Sequence, residues 1–143
     1  MKKAVICLSA LLFVCLTGCR NETVPNIEDY DWGMTSVQSM DVNGQVIAYG
    51  ERGSSTLDTA KQIKLICEAE QGNLALTDET SQKNYTGTYQ LSTTDPKSSI
   101  YEITIDGTEG VAVVAMTTYQ DGGQDPTLII RLGDYTINFF AEE

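Results

Sequence analysis

The sequence contains no histidine, and this absence restricts the chemistry that the protein can perform. Without an imidazole, Ser-His and Cys-His nucleophile pairs and histidine metal sites are excluded. Glycine-rich loops of the P-loop or dinucleotide-binding type are missing as well. Twenty Asp and Glu residues remain, but no spacing singles out a catalytic pair among them. We therefore expect a protein that is not an enzyme and holds no metal or cofactor, with a carboxylate-dependent hydrolase as a remote alternative.

Basic residues are also scarce. Nine Lys and Arg residues stand against twenty Asp and Glu residues, which gives a formal net charge of −11. Because so acidic a chain repels phosphate backbones, we expect no nucleic-acid partner.

Cysteine is rare, and three of the four cysteines lie close to the N-terminus. Cys7 and Cys15 belong to an apolar run, and Cys19 follows it. Since Cys67 is the only cysteine in the rest of the chain, no intrachain disulfide is expected there. Cys67 shares one face of a β-type run with Leu65, which predicts a buried small hydrophobic side chain.

Long apolar runs are absent except at the N-terminus, where Lys2 and Lys3 precede residues 4–16. This run of thirteen residues has Ser9 as its only polar member. It is too short for a membrane-spanning helix, which needs about 20 residues. A basic start followed by a short apolar segment is typical of a signal peptide. We predict that residues 1–18 are a signal peptide, whose removal leaves 125 residues with a formal charge of −13.

The motif Leu16-Thr17-Gly18-Cys19 ends this segment and resembles the lipobox of bacterial lipoproteins. The resemblance implies cleavage before Cys19 and attachment of several acyl chains, such as palmitate, to that cysteine. Several chains hold a protein on a membrane, whereas a single chain gives only reversible binding. Arg20, where an Asp would imply retention in the inner membrane, implies the outer membrane. We thus expect the membrane as a partner through the lipid on Cys19, with the periplasmic and external faces both open.

Two further regions follow the signal peptide. Residues 19–31 are polar and acidic and contain Pro25, which predicts a flexible tether. From residue 32 to residue 143, short β-type runs alternate with turn residues, which predicts one β domain. The dipeptides Asn43-Gly44 and Gly133-Asp134 indicate hairpin turns within it.

Nine β-type runs and no amphipathic helix predict an all-β fold. The predicted strands cover residues 32–40, 46–49, 63–69, 74–76, 85–91, 100–105, 111–119, 128–132 and 135–140. Successive hairpins favour an up-and-down order, and closure would remove exposed edges. We predict a single antiparallel up-and-down β-barrel, or a barrel-like sandwich, of about eight to nine strands. Within the fifth run, Gly87 is expected to permit a bend or a close backbone approach.

Several features of the chain also occur together in one known group of proteins. They are the lipobox, the acidic tether, Trp32 at the start of the first strand, Gly87-Thr88-Tyr89, and the closing runs 126–130 and 135–139. They resemble small lipocalin-like lipoproteins of Bacteroidota, and the resemblance spans most of residues 30–141. Lipocalins proper have a Gly two residues before the Trp, where this chain has Tyr30. The resemblance implies a lipocalin-like fold more than it implies a function.

Aromatic residues on the predicted strands suit either core packing or the lining of a pocket. The pocket candidates are Trp32, Tyr85, Tyr89, Tyr101, Tyr135 and Phe139. A small barrel is either filled by side chains or holds one small ligand. The leading hypothesis is therefore a membrane-anchored, non-enzymatic barrel that binds a small apolar or sugar ligand. The alternative is an interaction or envelope-structural module that binds protein or glycan through its outer surface and loops.

Two local features bear on that alternative. An outward-facing apolar patch formed by Ile66, Val114 and Met116 would favour it. Asp58-Thr59-Ala60 resembles the Asp-Ser/Thr-aliphatic pattern of O-glycan acceptor sites in Bacteroidota, so Thr59 is a candidate for O-glycosylation.

Overall fold

The computed structural model describes residues 24–142, so the predicted signal peptide and Cys19 lie outside the described residues. Within this range the chain forms ten β-strands. They are β1 Trp32–Ser39, β2 Gln45–Tyr49, β3 Lys61–Gln62, β4 Leu65–Glu70, β5 Asn73–Asp78, β6 Lys83–Thr94, β7 Ser98–Ile105, β8 Thr108–Thr118, β9 Gln124–Leu132 and β10 Tyr135–Ala141. Every predicted strand overlaps one of them, and only the two-residue β3 has no predicted counterpart.

Eight of these strands form a closed antiparallel barrel. Strands β4 to β10 follow one another as a meander. β10 then pairs with β1 along the whole length of β1, and β1 pairs with β4 at Trp32 and Gly33. Because these pairings close the sheet, the first and last strands of the meander both have partners instead of free edges. The predicted all-β, up-and-down barrel is confirmed.

The remaining two strands form a short branch beside the barrel. β1 changes partner along its length, because residues 36–39 pair with β2 whereas Trp32 and Gly33 pair with β4. β3 joins β2 as a parallel pair between Ala48 and Lys61. The loop between β2 and β3 thereby returns to the outer wall of the barrel.

The barrel has two ends, which we name by the position of the N-terminal segment. The near end carries that segment and the turns that follow β4, β6 and β8. The far end carries the loop that follows β1 and the turns that follow β5, β7 and β9.

Alternation along the strands directs one set of side chains into the barrel, where they form a single hydrophobic cluster. Its buried members are Ile27, Trp32, Met34, Leu65, Cys67, Leu74, Leu76, Tyr101, Ile103, Ile105, Ala112, Val114, Leu128, Ile130, Ile137 and Phe139. β6 contributes through Tyr89, which is partly buried against this cluster. All eight strands of the barrel therefore supply side chains that fill its interior.

Ile66, Val114 and Met116 do not form the outward-facing apolar patch that would favour an interaction module. Val114 is fully buried, because its side of β8 faces the barrel interior. Ile66 and Met116 are half-buried. The outer face of β8 and β9 instead exposes Val111 and Ile129, each by more than a third of its surface.

Gly87 is a point of close approach between β6 and β7. A Cβ atom built at this position would overlap the carbonyl oxygen of Thr104 on β7. The close approach that the sequence predicts is therefore present, and it requires a residue without a side chain.

Candidate functional site

Three of the six candidate pocket aromatics belong to the packed core. Trp32, Tyr101 and Phe139 are only 0%, 4% and 2% exposed. They lie within the same cluster as the aliphatic side chains of the barrel. Their surroundings in the structure are those of core residues.

The other three aromatics lie at the two ends of the barrel. Tyr89 is half-buried at the near end, and its ring contacts that of Tyr101 edge to face, with centroids 5.8 Å apart. Tyr85 and Tyr135 lie at the far end and are 36% and 45% exposed. The six residues are therefore distributed over the core and both ends of the barrel.

The near end is covered by one 3-10 turn, Ile27–Asp29. The Ile27 side chain is fully buried. Its backbone N–H donates to the Tyr101 hydroxyl at 3.2 Å, and its carbonyl accepts a bond from Trp32 Nε1 at 2.8 Å. The polar atoms of two core aromatics thus hold the backbone of this turn over the barrel.

Glu28 ties the same turn to two neighbouring elements. Its Oε1 accepts hydrogen bonds from the backbone N–H of Gln71, at 3.0 Å, and from the hydroxyl of Tyr89. The turn lies within residues 19–31, which the sequence predicts as a tether. In the structure, residues 26–29 are instead part of the folded barrel.

A depression of about 250 Å³ lies on the outer wall beside this turn. One side is formed by Tyr30, which is 37% exposed. The Tyr30 ring packs edge-on against Trp32, with centroids 5.4 Å apart. Contact with a fully buried residue holds Tyr30 in place and leaves part of its ring open to solvent.

The other side of the depression carries one cation and two carboxylates. Arg52 lies over the ring of Phe140, with Cζ 3.9 Å from the ring centroid. Such a cation–π contact contributes about 0.5–1 kcal/mol at an exposed site. Asp125 and Glu142 supply the carboxylates of the lining.

Arg52 reaches this position because the loop after β2 packs tightly on β1. A Cβ atom at Gly50 or Gly53 would overlap the carbonyl oxygen of Met34 or Thr35. The N–H of Gly53 donates to the carbonyl of Gly50 at 3.1 Å and closes a turn with Arg52 inside it. Two glycines therefore allow the backbone contact that directs Arg52 towards Phe140.

This arrangement suits a ligand that has both hydroxyl groups and apolar ring faces. The guanidinium offers five N–H donors, and carboxylates accept hydrogen bonds. Among residues 24–142, Lys64 and Glu79 form the one ion pair, so neither carboxylate of the depression is in direct contact with the Arg52 guanidinium. An aromatic ring beside converging polar groups is the usual composition of a small-ligand site.

No sequence pattern indicated this depression. Its lining comes from the N-terminal segment, the loop after β2, and strands β9 and β10, which are distant in sequence. One signal was present: Arg52 is the only basic residue between Arg20 and Lys61.

Two larger grooves, of about 490 and 520 Å³, lie along β6. The first is lined by the carboxylates of Glu68 and Glu70, and the second by those of Glu102 and Glu109. Neither lining includes a basic side chain. These grooves are acidic surfaces without the mixed donors and acceptors of the Arg52 depression.

Cys67 is buried and free, as the sequence predicts. Burial raises the pKa of its thiol to about 12, and the charge of Glu68 adds to this effect. The thiol is therefore neutral at physiological pH, and a neutral thiol is neither a nucleophile nor a metal ligand.

Thr59 lies in an exposed turn of the loop between β2 and β3. This position makes its hydroxyl accessible, and O-glycosylation there stays a prediction. Across residues 24–142, no group of three or more Cys, Asp or Glu side chains is placed to hold a metal ion. The same stretch contains no helix that is long and apolar enough to span a bilayer.

Fold and site together define a closed eight-stranded antiparallel β-barrel with a two-stranded branch, a filled interior and a polar-aromatic depression on its outer wall. Comparisons with protein-family models, curated proteins and solved structures found no match.

Proposed function

We propose that this protein is a lipid-anchored lipoprotein of the bacterial outer membrane whose non-enzymatic β-barrel binds a glycan at the depression between Tyr30 and Arg52. The barrel is the scaffold, and its outer wall is the binding surface. This choice favours the second of the two hypotheses drawn from the sequence.

The observation that carries the choice is the filled interior. Trp32, Tyr101 and Phe139, the central pocket candidates, are at most 4% exposed within one continuous cluster. Ile27 covers the near end above them. A ligand inside the barrel would have to displace these side chains from a packed core, in which truncating a single large side chain to Ala already costs about 2–5 kcal/mol.

The chemistry of the depression favours a saccharide. Sugars present C–H faces that pack on aromatic rings, and hydroxyl groups that both donate and accept. Tyr30 supplies an accessible ring, Arg52 supplies donors, and Asp125 and Glu142 supply acceptors. A purely apolar ligand would offer these polar groups no hydrogen bond, which costs about 1–3 kcal/mol for each group that the ligand cuts off from water.

Lipid anchoring is supported by the lipobox at residues 16–19 and by the position of the N-terminal segment. Val24, the first described residue, lies at the near end and is only partly buried. A chain that leaves the barrel there can connect to Cys19 without crossing the core.

The proposal that the barrel is not an enzyme is supported by the residue types present and by the position of the depression on the outer wall. The chain has no histidine, and Cys67 is held as a buried neutral thiol. Asp125 and Glu142 lie on the open outer wall, where water has access to both carboxylates. The general acid of a carboxylate hydrolase lies in an apolar environment, whereas Asp125 is exposed and Glu142 is only half-buried.

The anchor is tested by labelling a Gram-negative host with an alkyne analogue of palmitate. We expect the label on the wild-type protein and in the outer-membrane fraction, and none on Cys19→Ser. Equal labelling of both proteins, or no labelling of either, would refute lipid anchoring at Cys19.

Glycan binding is tested with the detergent-solubilised, full-length lipoprotein on an array of neutral and acidic oligosaccharides. We expect saturable binding that both Tyr30→Ala and Arg52→Ala weaken at least tenfold, or by about 1.4 kcal/mol. Tyr85→Ala is the matched control, because Tyr85 is as exposed as Tyr30 (36% against 37%) but lies at the far end.

The control also distinguishes a binding site at the near end from one at the far end. If Tyr85→Ala abolished binding and Tyr30→Ala left it intact, the site would lie at the far end of the barrel. Absence of any saturable glycan binding would refute the proposed ligand class.

A further inference from the structure

We infer that the barrel stands on the membrane with its near end towards the lipid surface, and that the docked turn Ile27–Asp29 sets this orientation. The inference rests on the proposed lipid anchor at Cys19. It assigns the bilayer surface as the partner of the near-end turns, and it directs the far-end loops away from the membrane.

The point where the chain leaves the barrel is fixed. Ile27 is fully buried, and its backbone is bonded to Tyr101 and Trp32. Glu28 is bonded to the turn after β4 and to β6. Four bonds to the barrel hold the N-terminal segment over the near end.

The chain between the first described residue and the lipid is short, because Val24 already lies at the near end, beside Pro96 and Lys97. Five peptide steps separate Cys19 from Val24, and they span at most about 18 Å when fully extended. An undocked segment would be longer, because the residues up to Trp32 would then also separate the lipid from the barrel. Docking of residues 26–29 therefore shortens the link between lipid and barrel.

The barrel is at least as high as this link is long. A strand of eight residues, the length of β7, rises about 26 Å, and a tilt of about 40° leaves about 20 Å along the barrel axis. The near-end turns therefore stay close to the lipid surface, while an upright barrel holds the far end beyond them.

The orientation places the Tyr30–Arg52 depression beside the membrane. Tyr30 directly follows the docked turn, and Glu142 N–H donates to the carbonyl of Asp31 at 2.8 Å. A glycan bound there would be one displayed at the membrane surface. The far-end loops would not contact the membrane surface.

The test measures the depth of two labelled positions in vesicles. Lys97→Cys places a fluorophore in the near-end turn after β6, and Met40→Cys places one at the far end, where Met40 is 68% exposed. The mature lipoprotein is reconstituted into phosphatidylcholine vesicles with a spin label on the headgroup. We expect the label at position 97 to be quenched several times more strongly than the label at position 40.

The docked turn is tested in the same vesicles by a pair of variants. Glu28→Ala removes the acceptor shared by Gln71 and Tyr89, and should bring the quenching at the two positions closer together. Asp31→Ala removes a neighbouring exposed carboxylate and should leave the difference intact. Equal effects of the two variants would overturn the role of the turn.

Vesicle flotation separates failure of the inference from failure of the proposed function. Protein that does not float with the vesicles refutes the lipid anchor, and the orientation with it. Protein that floats but shows equal quenching at both positions refutes the orientation alone.

Discussion

At the scale of single residues, Cys67 illustrates how the filled barrel controls chemistry. Its side chain is fully buried, and burial raises the pKa of its thiol from the ordinary value of 9.0 to about 12. A raised pKa means that the folded state favours the neutral thiol. Its contribution to stability is therefore complete below pH 9.0 and is lost as the pH rises from there through the folded pKa.

We predict that the Cys67 thiol does not react with Ellman's reagent in the native protein at about pH 8 and reacts at once in denaturant. Thr59→Cys, which adds a thiol at an exposed position, is the control and should react rapidly without denaturant. If the native wild-type thiol reacted as fast as the one at position 59, the interior would be open to solvent.

At the scale of elements, the contact between β6 and β7 depends on Gly87. A Cβ atom there would overlap the Thr104 carbonyl, so the two strands would have to separate. We predict that Gly87→Ala destabilises the protein by about 1–3 kcal/mol, the usual cost of overpacking. Thr88→Ala, at the next and outward-facing position, should change stability by about 0.5 kcal/mol or less. Urea denaturation followed by circular dichroism measures both, and equal effects would contradict the close approach.

The turn between β6 and β7 depends on an ionised Asp95. Its carboxylate accepts bonds from the N–H groups of Lys97, at 2.7 Å, and Ser98, at 2.9 Å. The bond from Lys97 and those from Ser98 lower the pKa of Asp95 below its ordinary value of 3.8. Because the folded pKa is depressed, this stabilisation is present above pH 3.8 and is lost as the pH falls through the folded pKa.

We therefore predict that the urea midpoint falls between about pH 6 and about pH 3, and that Asp95→Asn reduces this fall. Asp58→Asn, in the exposed loop after β2, should leave the fall unchanged. If Asp95→Asn and the wild type showed the same pH dependence, this turn would not contribute to the loss of stability at low pH.

The strands were predictable from the sequence because each depends on local signals. Alternation placed Cys67 inward, and Gly133-Asp134 marked the hairpin that joins β9 to β10. The docked turn was not predictable, because Ile27 stands alone in a polar stretch without periodicity. Its burial depends on Tyr101, which is 74 positions away in sequence. The depression was missed for the same reason.

At the scale of the whole molecule, the protein is a closed and filled barrel whose proposed binding surface lies outside. Closure gives each strand of the barrel a partner, and the interior is occupied from Ile27 at the near end to Ile105 and Ile137 at the far end. A barrel of this kind acts as a rigid support. The proposed glycan site and the proposed orientation both depend on that rigidity.

The filled interior is tested most directly by the fluorescence of Trp32, the only tryptophan in the chain. Trp32 is fully buried, and its indole N–H bonds to Ile27. We predict blue-shifted emission that acrylamide barely quenches in the native protein and quenches fully in urea. Native emission quenched as strongly as that of the unfolded chain would show an open interior and contradict the filled barrel.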